Sequence, residues 1–401
     1  MLAAGEVELI DHSLLVTLAG SDPALKPVML MGHMDVVPVV PGTEADWTHA
    51  PYSGHVDDPY IWGRGASDMK DQVAGILEAV EYALGHGWQH ERTLLLAFGQ
   101  DEETTQYGAV ASGRVLEERG SELEFLIDEG DYRIVPSVEY SAGEGRLMHA
   151  DLAEKGYADF SMSVRAKGGH SSQPPKHSAI GKIADVVKDV ENHQFKSKLE
   201  PFVLKLFSNL GRRTTYPVRV VACNLWLLKP LAKFIMEQIP PTASLIRTTT
   251  GVTMAEGSPV ANVLPQEASV TANFRMMPGT TTEDVEKHLR KVIKNKDVEI
   301  KCLKHKEASK FSSTDSRAFK VIEEICVRAD PEVIVAPYLV MGGTDACFYE
   351  PICDNIYRFA PFHVRTKLLL CTHATDERCP VAVLDEGVSF FKRYIRMLTK
   401  D

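Results

Sequence analysis

Several things are missing from this 401-residue chain. It has no apolar run of the roughly 18 residues that a membrane span needs, so no stable membrane span is expected. Its opening stretch, MLAAGEVELIDHS, lacks the basic end and apolar centre of a secretory signal. Basic residues are in the minority: 44 Lys and Arg stand against 55 Asp and Glu, for a net charge of −11. That balance argues against nucleic acid or an anionic membrane as the main partner. The seven cysteines are odd in number and none is in CxxC spacing. Neither a zinc finger nor a complete disulfide framework is indicated, and the compartment stays open. There is no internal repeat and no low-complexity tract.

What is present is the composition of a globular protein, 44% hydrophobic and 25% charged, at a length that favours two domains. The first third alternates apolar strands (SLLVTLAG, PVMLMGHMD, TLLLAFG, LEFLID) with an amphipathic helix, DMKDQVAGILEAVEYALGHG. In that helix Val73, Ile76, Leu77, Val80 and Ala83 recur at helical spacing. The alternation predicts an α/β domain, a mostly parallel sheet with flanking helices, whose site lies at the C-terminal ends of the strands. Near Glu154 the pattern changes to strand-helix-strand-strand-helix-strand. This predicts a smaller, ferredoxin-like α+β layer inserted in the first domain. The expected division is 1–154, 155–305 and 306–401. Between the insert's helices lie PFVLKLFSNL and LWLLKPLAKFIMEQI, apolar enough for either inter-helix core or a greasy groove.

Polar residues gather where the strands end: His33 and Asp35 in GHMDVVP, Asp68 in GRGASDMK, Asp101, Glu102 and Glu103 in GQDEE, Asp128 and Glu129 in DEG, and His373 in CTHATDE. Singly, each has a plain reading as a turn histidine, a helix N-cap or a solvated loop. Together they would converge on one rim. Adjacent carboxylates there are costly unless a cation compensates them. Mixed His and carboxylate ligands suit zinc and, less selectively, manganese or cobalt. Two metals need a bridging group, which a carboxylate supplies. One of the adjacent glutamates can ligate, while the other stays free to take a proton from water.

Seven motifs in order, GHMDVVP, GRGASDMK, GQDEE, DEG, KGGHSSQPP, NVLP…NFR and CTHATDE, resemble the zinc metallopeptidase family of aminoacylase-1, carboxypeptidase S and the bacterial deacetylases and desuccinylases. GSDPALKPVMLMGHMDVVP, IRTTTGVT and DNIYRFAP look most like its N-fatty-acyl-amino-acid synthase/hydrolase branch, with the carboxypeptidase S branch next. The resemblance implies two zinc ions per chain. His33 and Asp128 would hold the first, with Glu129 the rival to Asp128. Glu103 and His373 would hold the second, and Asp68 would bridge both. Asp35 would orient His33, and Glu102 would be the general base. His170 in KGGHSSQPP would reach a neighbouring subunit's site as an oxyanion donor, which implies a homodimer. Asn262 and Arg275 would hold the substrate's carboxylate. Gly343 and Thr344, in the loop MGGTDA (341–346), would line the site.

The implied substrate is an N-acyl, in particular an N-fatty-acyl, amino acid, with a short peptide as the alternative. Only 32 residues precede His33, fewer than the family carries. A truncated or splice form is therefore expected. Secretion or a lumenal location follows from the resemblance but not from this N-terminus. A catalytically inactive binding protein is the alternative of another class.

Overall fold

In the computed structural model, residues 5–130, 146–211, 216–340, 342–362, 364, 368 and 370–399 are described. They form two compact units. Unit 1 comprises Met1–Ala153, Leu204–Asn224 and Phe311–Asp401. Unit 2 comprises Glu154–Val203 and Leu225–Lys310. The expected insert of 155–305 is thus interrupted by Leu204–Asn224. Side chains of that segment lie on unit 1, where Asn209 Nδ2 donates to the Val335 carbonyl at 3.1 Å and Lys205 Nζ lies 4.8 Å from the Phe319 ring centroid.

Unit 1 is built on an eight-stranded sheet. Its order is Glu6–Ile10, Ser13–Leu18, Leu94–Gly99, Val28–His33, Phe125–Asp128, Ile356–Arg358, Arg146–Glu154, Val333–Val340. The four strands from Leu94–Gly99 to Ile356–Arg358 are mutually parallel. All four are buried at every residue, because helices cover both faces of a parallel sheet. Antiparallel strands flank this centre on both sides. The register pairs His33 with Gly99 and Asp128 with Arg358, so these strands end on a common rim.

The predicted helix is Lys70–Gly85, burying Ile76, Ala79, Val80 and Ala83. It packs against the helix Val381–Leu398 near Phe362 and Phe391. Gly387 is required there: a Cβ at that position would lie 2.0 Å from Phe362 Cε1.

Unit 2 carries the four-stranded antiparallel sheet Thr249–Glu256, Glu267–Met276, Gly156–Arg165, Glu299–Lys306. Alternate residues Ala158, Phe160, Met162 and Val164 point to one face, where they meet the helices Ala179–Asn192 and Thr282–Val292. Ser178 caps the first helix, and a reciprocal Thr281–Asp284 capping box starts the second. The chain order and strand order are those of the predicted ferredoxin-like layer. The apolar stretch LWLLKPLAKFIMEQI is a helix, Leu225–Gln238, but not plain core. It buries Leu225, Ala232 and Met236 and exposes Trp226, Leu227, Leu231, Phe234 and Ile235. None of the described helices is long and apolar enough to cross a membrane.

Candidate metal centre

His33 ends a buried strand and is itself 1% exposed. Its Nε2 lies 3.1 Å from Asp68 Oδ1. The other oxygen of Asp68 lies 2.9 Å from His373 Nε2, which is 3.0 Å from Glu103 Oε1. Asp68 therefore gives one oxygen to each histidine, the disposition a bridging carboxylate needs. It is not the N-cap of the following helix; that place is taken by Met69.

Asp35 ties two strand ends together. Its carboxylate faces His33 Nδ1 at 3.3 Å and accepts the backbone N–H groups of Glu102 and Glu103, each at 3.1 Å. The three adjacent acids of GQDEE do three different things. Asp101 accepts the N–H groups of Tyr107 and Gly108, both at 2.9 Å, at the start of the next helix. Glu103 meets His373. Glu102 stays between them, its Oε1 held by Gln106 Nε2 at 2.8 Å.

The two acids at the end of the Phe125–Asp128 strand, Asp128 and its rival Glu129, are placed differently. Glu129 Oε2 lies 3.7 Å from His33 Nε2, and Glu129 groups with His33 and Glu102 as potential metal donors. Asp128 turns away, and its Oδ2 accepts the Ala346 N–H at 3.0 Å. Neighbouring residues leave an extended chain on opposite sides, so only one of the two can face the cluster.

Five carboxylates (Asp35, Asp68, Glu102, Glu103 and Glu129) surround two imidazoles. Burial opposes the charge on His33, but Asp35, Asp68 and Glu129 raise its pKa far above the usual value. Asp68 and Glu103 push His373 up to about 10. Burial pushes Glu102 up to about 7, against the pull of His33. Burial likewise holds Glu129 well above the carboxylate range. The donor set thus holds protons where divalent cations would replace them, and imidazole nitrogen with carboxylate oxygen fits such ions.

The sequence reading missed two acids. Glu377, 0% exposed, accepts the backbone N–H groups of Ser67 and Asp68 at 3.1 and 3.2 Å. Arg64 Nη1 meets it at 2.5 Å. It therefore braces the turn that presents Asp68, and its place in CTHATDE was the available signal. Asp345, 3% exposed, lies close to the Glu102 and Asp128 carboxylates, and burial pushes it up to about 8. Gly99 leaves room for it: a Cβ there would lie 2.5 Å from Asp345 Oδ2.

In its loop, Gly343 is exposed, while Thr344 is buried and caps the 3-10 turn Asp345–Tyr349. The Thr344 hydroxyl accepts the Ala346 N–H at 3.3 Å. Met341 lies outside the described residues. The loop bearing His373 is pinned by Thr48, whose N–H and hydroxyl donate to Asp376 at 2.7 and 2.8 Å. His373 itself has φ 61°, a left-handed conformation that costs energy in a non-glycine residue.

The remaining predicted residues belong to unit 2. Gly169–His170 pairs with Val263–Leu264, and Ser171 N donates to the Asn262 carbonyl at 3.1 Å. His170 is exposed, with Nδ1 2.8 Å from Ser172 Oγ. Arg275 is not beside Asn262. It lies near the far end of the Glu267–Met276 strand, roughly 26 Å from Glu267 at about 3.3 Å per residue.

This fold and this cluster are those of a metal-dependent hydrolase. Residues 29–397 match the family described as Peptidase family M20/M25/M40, and the chain belongs to it. It is 36% identical to a probable carboxypeptidase S-like protein of Dictyostelium discoideum, over 98% of this chain and 75% of that one. It is 33% identical to an N-fatty-acyl-amino acid synthase/hydrolase of Mus musculus, over 96% of this chain and 76% of that one. Among solved structures it resembles an M20 family metallo-carboxypeptidase from Sulfolobus solfataricus, with a TM-score of 0.66 and 18% identity, over 98% of this chain and 90% of that one.

Proposed function

We propose that the protein uses two zinc ions to hydrolyse the amide bond of N-acyl amino acids, in particular N-fatty-acyl ones, and can form that bond when both products are abundant. The observation that carries the reading is Asp68, whose two oxygens are divided between His33 and His373. On this reading His33, Asp68 and Glu129 would hold one ion, and Asp68, Glu103 and His373 the other. When bound, the ions supply Lewis acidity toward the amide carbonyl and the attacking water.

The rest falls to the chain. Glu102 has Oε1 fixed by Gln106 and takes the water's proton on Oε2. The water oxygen bonds to the carbonyl carbon, the C–N bond breaks, and Glu102 returns the proton to the leaving amine. A fatty acid and an amino acid result. Asp35 keeps the His33 ring and the Glu102–Glu103 backbone in one frame. His170, exposed on its small ladder, serves as an oxyanion donor to a second copy of the chain.

The similarity to the mouse N-fatty-acyl-amino acid synthase/hydrolase supports the acyl substrate. The similarity to the carboxypeptidase S-like protein supports a second reading, release of a C-terminal residue from a short peptide. A hydrolysis panel of N-acyl amino acids of rising chain length against dipeptides separates them. Rising kcat/KM with acyl length is expected, and cleavage of dipeptides alone would reject the first reading.

A further inference from the structure

Outside the metal centre, unit 1 holds a second set of metal donors. His49, His55 and Asp57 each bring a ligand atom, and these atoms lie within 4.8 Å of one another. The backbone sets them there. Trp62 N donates to the His55 carbonyl at 2.8 Å and Asp57 N to the Tyr60 carbonyl at 2.9 Å, so residues 55–62 form a hairpin. Residues two apart on an extended strand share a face, which puts His55 and Asp57 on one side and the exposed Val56 on the other. His49 comes from the preceding turn. Its ring stacks on that of His55, with centroids 3.8 Å apart and planes at 18°, and meets the edge of Trp62 at 5.0 Å.

The acid that reaches these rings, among the described residues, is Asp57. Its Oδ1 accepts the Tyr60 N–H at 3.2 Å, and its Oδ2 faces His49 Nε2 at 3.8 Å, too far for a hydrogen bond. Two ligand atoms about 2.0–2.2 Å from a tetrahedral zinc stand roughly 3.4 Å apart. The gap between His49 and Asp57 is therefore close to the one that a shared ion requires. His55 is exposed and needs only a ring rotation to join them. Two imidazoles and one carboxylate are a zinc donor set that keeps a fourth position for water.

We propose that His49, His55 and Asp57 form a separate divalent-cation site, fit for zinc, that clamps the frame of the metal centre and takes no part in the chemistry. Both segments that carry it also support the loop bearing His373. Thr48, next to His49, donates to Asp376, and Tyr60–Trp62 pairs with Arg378–Pro380. One ion would join the turn to the hairpin and so tie these two supports together. The site lies wholly within unit 1 and does not rest on the amide-hydrolase reading.

The test counts zinc on the full chain by elemental analysis after equilibrium dialysis against excess zinc. Wild type should hold one ion more per chain than His55→Ala or Asp57→Asn, whatever number the metal centre takes. Both side chains are exposed, so these variants should fold. The same difference of one ion should persist in an Asp68→Ala background, where the centre is disabled. His12→Ala, which removes an exposed histidine elsewhere, should leave the count unchanged. Equal zinc in wild type, His55→Ala and Asp57→Asn would overturn the site, as would a loss in His12→Ala as large as in His55→Ala. Hydrogen exchange reads the clamp: zinc should slow exchange at the Thr48 and Trp62 amides more in wild type than in His55→Ala. Equal slowing in both would overturn it. A difference of one ion found beside an empty metal centre would instead sink the dizinc reading and leave this site standing.

Discussion

Asp35→Asn isolates the orienting role from the metal donors themselves. The Asp35 carboxylate meets three groups: the His33 ring at Nδ1 and the backbone N–H groups of Glu102 and Glu103. Asparagine keeps the shape but turns one oxygen into a donor. One of the two backbone N–H groups then faces another N–H. A hydrogen bond to a charged group contributes about 1.5–3 kcal/mol, and 18% side-chain exposure puts this one toward the lower end. Loss of a group that orients a metal-binding histidine typically costs about 10- to 100-fold in metal affinity. At 1.4 kcal/mol per tenfold that is about 1.4–2.8 kcal/mol, the same size as the lost bond.

Alanine is the wrong probe. It strands both N–H groups at about 1–3 kcal/mol each, a large part of a domain's total stability of roughly 5–15 kcal/mol. The assay is zinc titration of the metal-stripped protein against a chromogenic chelator, with thermal melting of the metal-free form as a fold check. An asparagine variant that melts normally and binds zinc as tightly as wild type would refute the orienting role.

Glu102→Gln should retain its metals by elemental analysis while the rate falls by roughly 10²- to 10⁴-fold; near-normal turnover with metals bound would remove Glu102 as the base. Metal uptake at pH 7 should expel at least two protons per chain, because His33 and His373 are raised above their usual range and must be neutral to ligate, and Glu129, also raised, must be ionised. The sign follows: affinity should fall steadily as pH drops from about 10, the value for His373, and calorimetry in buffers of different ionisation heat counts the protons. Uptake without proton release would contradict the protonated cluster. If His170 acts in a second copy, mixing inactive His170→Ala with inactive Glu102→Gln should restore activity. Verified heterodimers that stay inactive would rule out donation between subunits.

The residue types of the cluster were legible in the sequence because a parallel sheet brings its strand ends to one rim, and apolar runs ending in His or acid mark those ends. The ferredoxin-like layer was legible too: the two-residue alternation in Gly156–Arg165 and Glu267–Met276 and the capping residues Ser178 and Thr281 are local signals. What depends on pairings distant in sequence was not. Asp128 and Glu129 are adjacent acids, and the choice between them is made by the Ala346 N–H, 218 residues away in the chain. Bracing of Asp68 by Glu377 spans 309 residues. Asn262 and Arg275 look close along the chain, yet a ten-residue extended strand sets them apart. Periodicity specifies which face of an element is buried; only the register between elements decides which side chains meet.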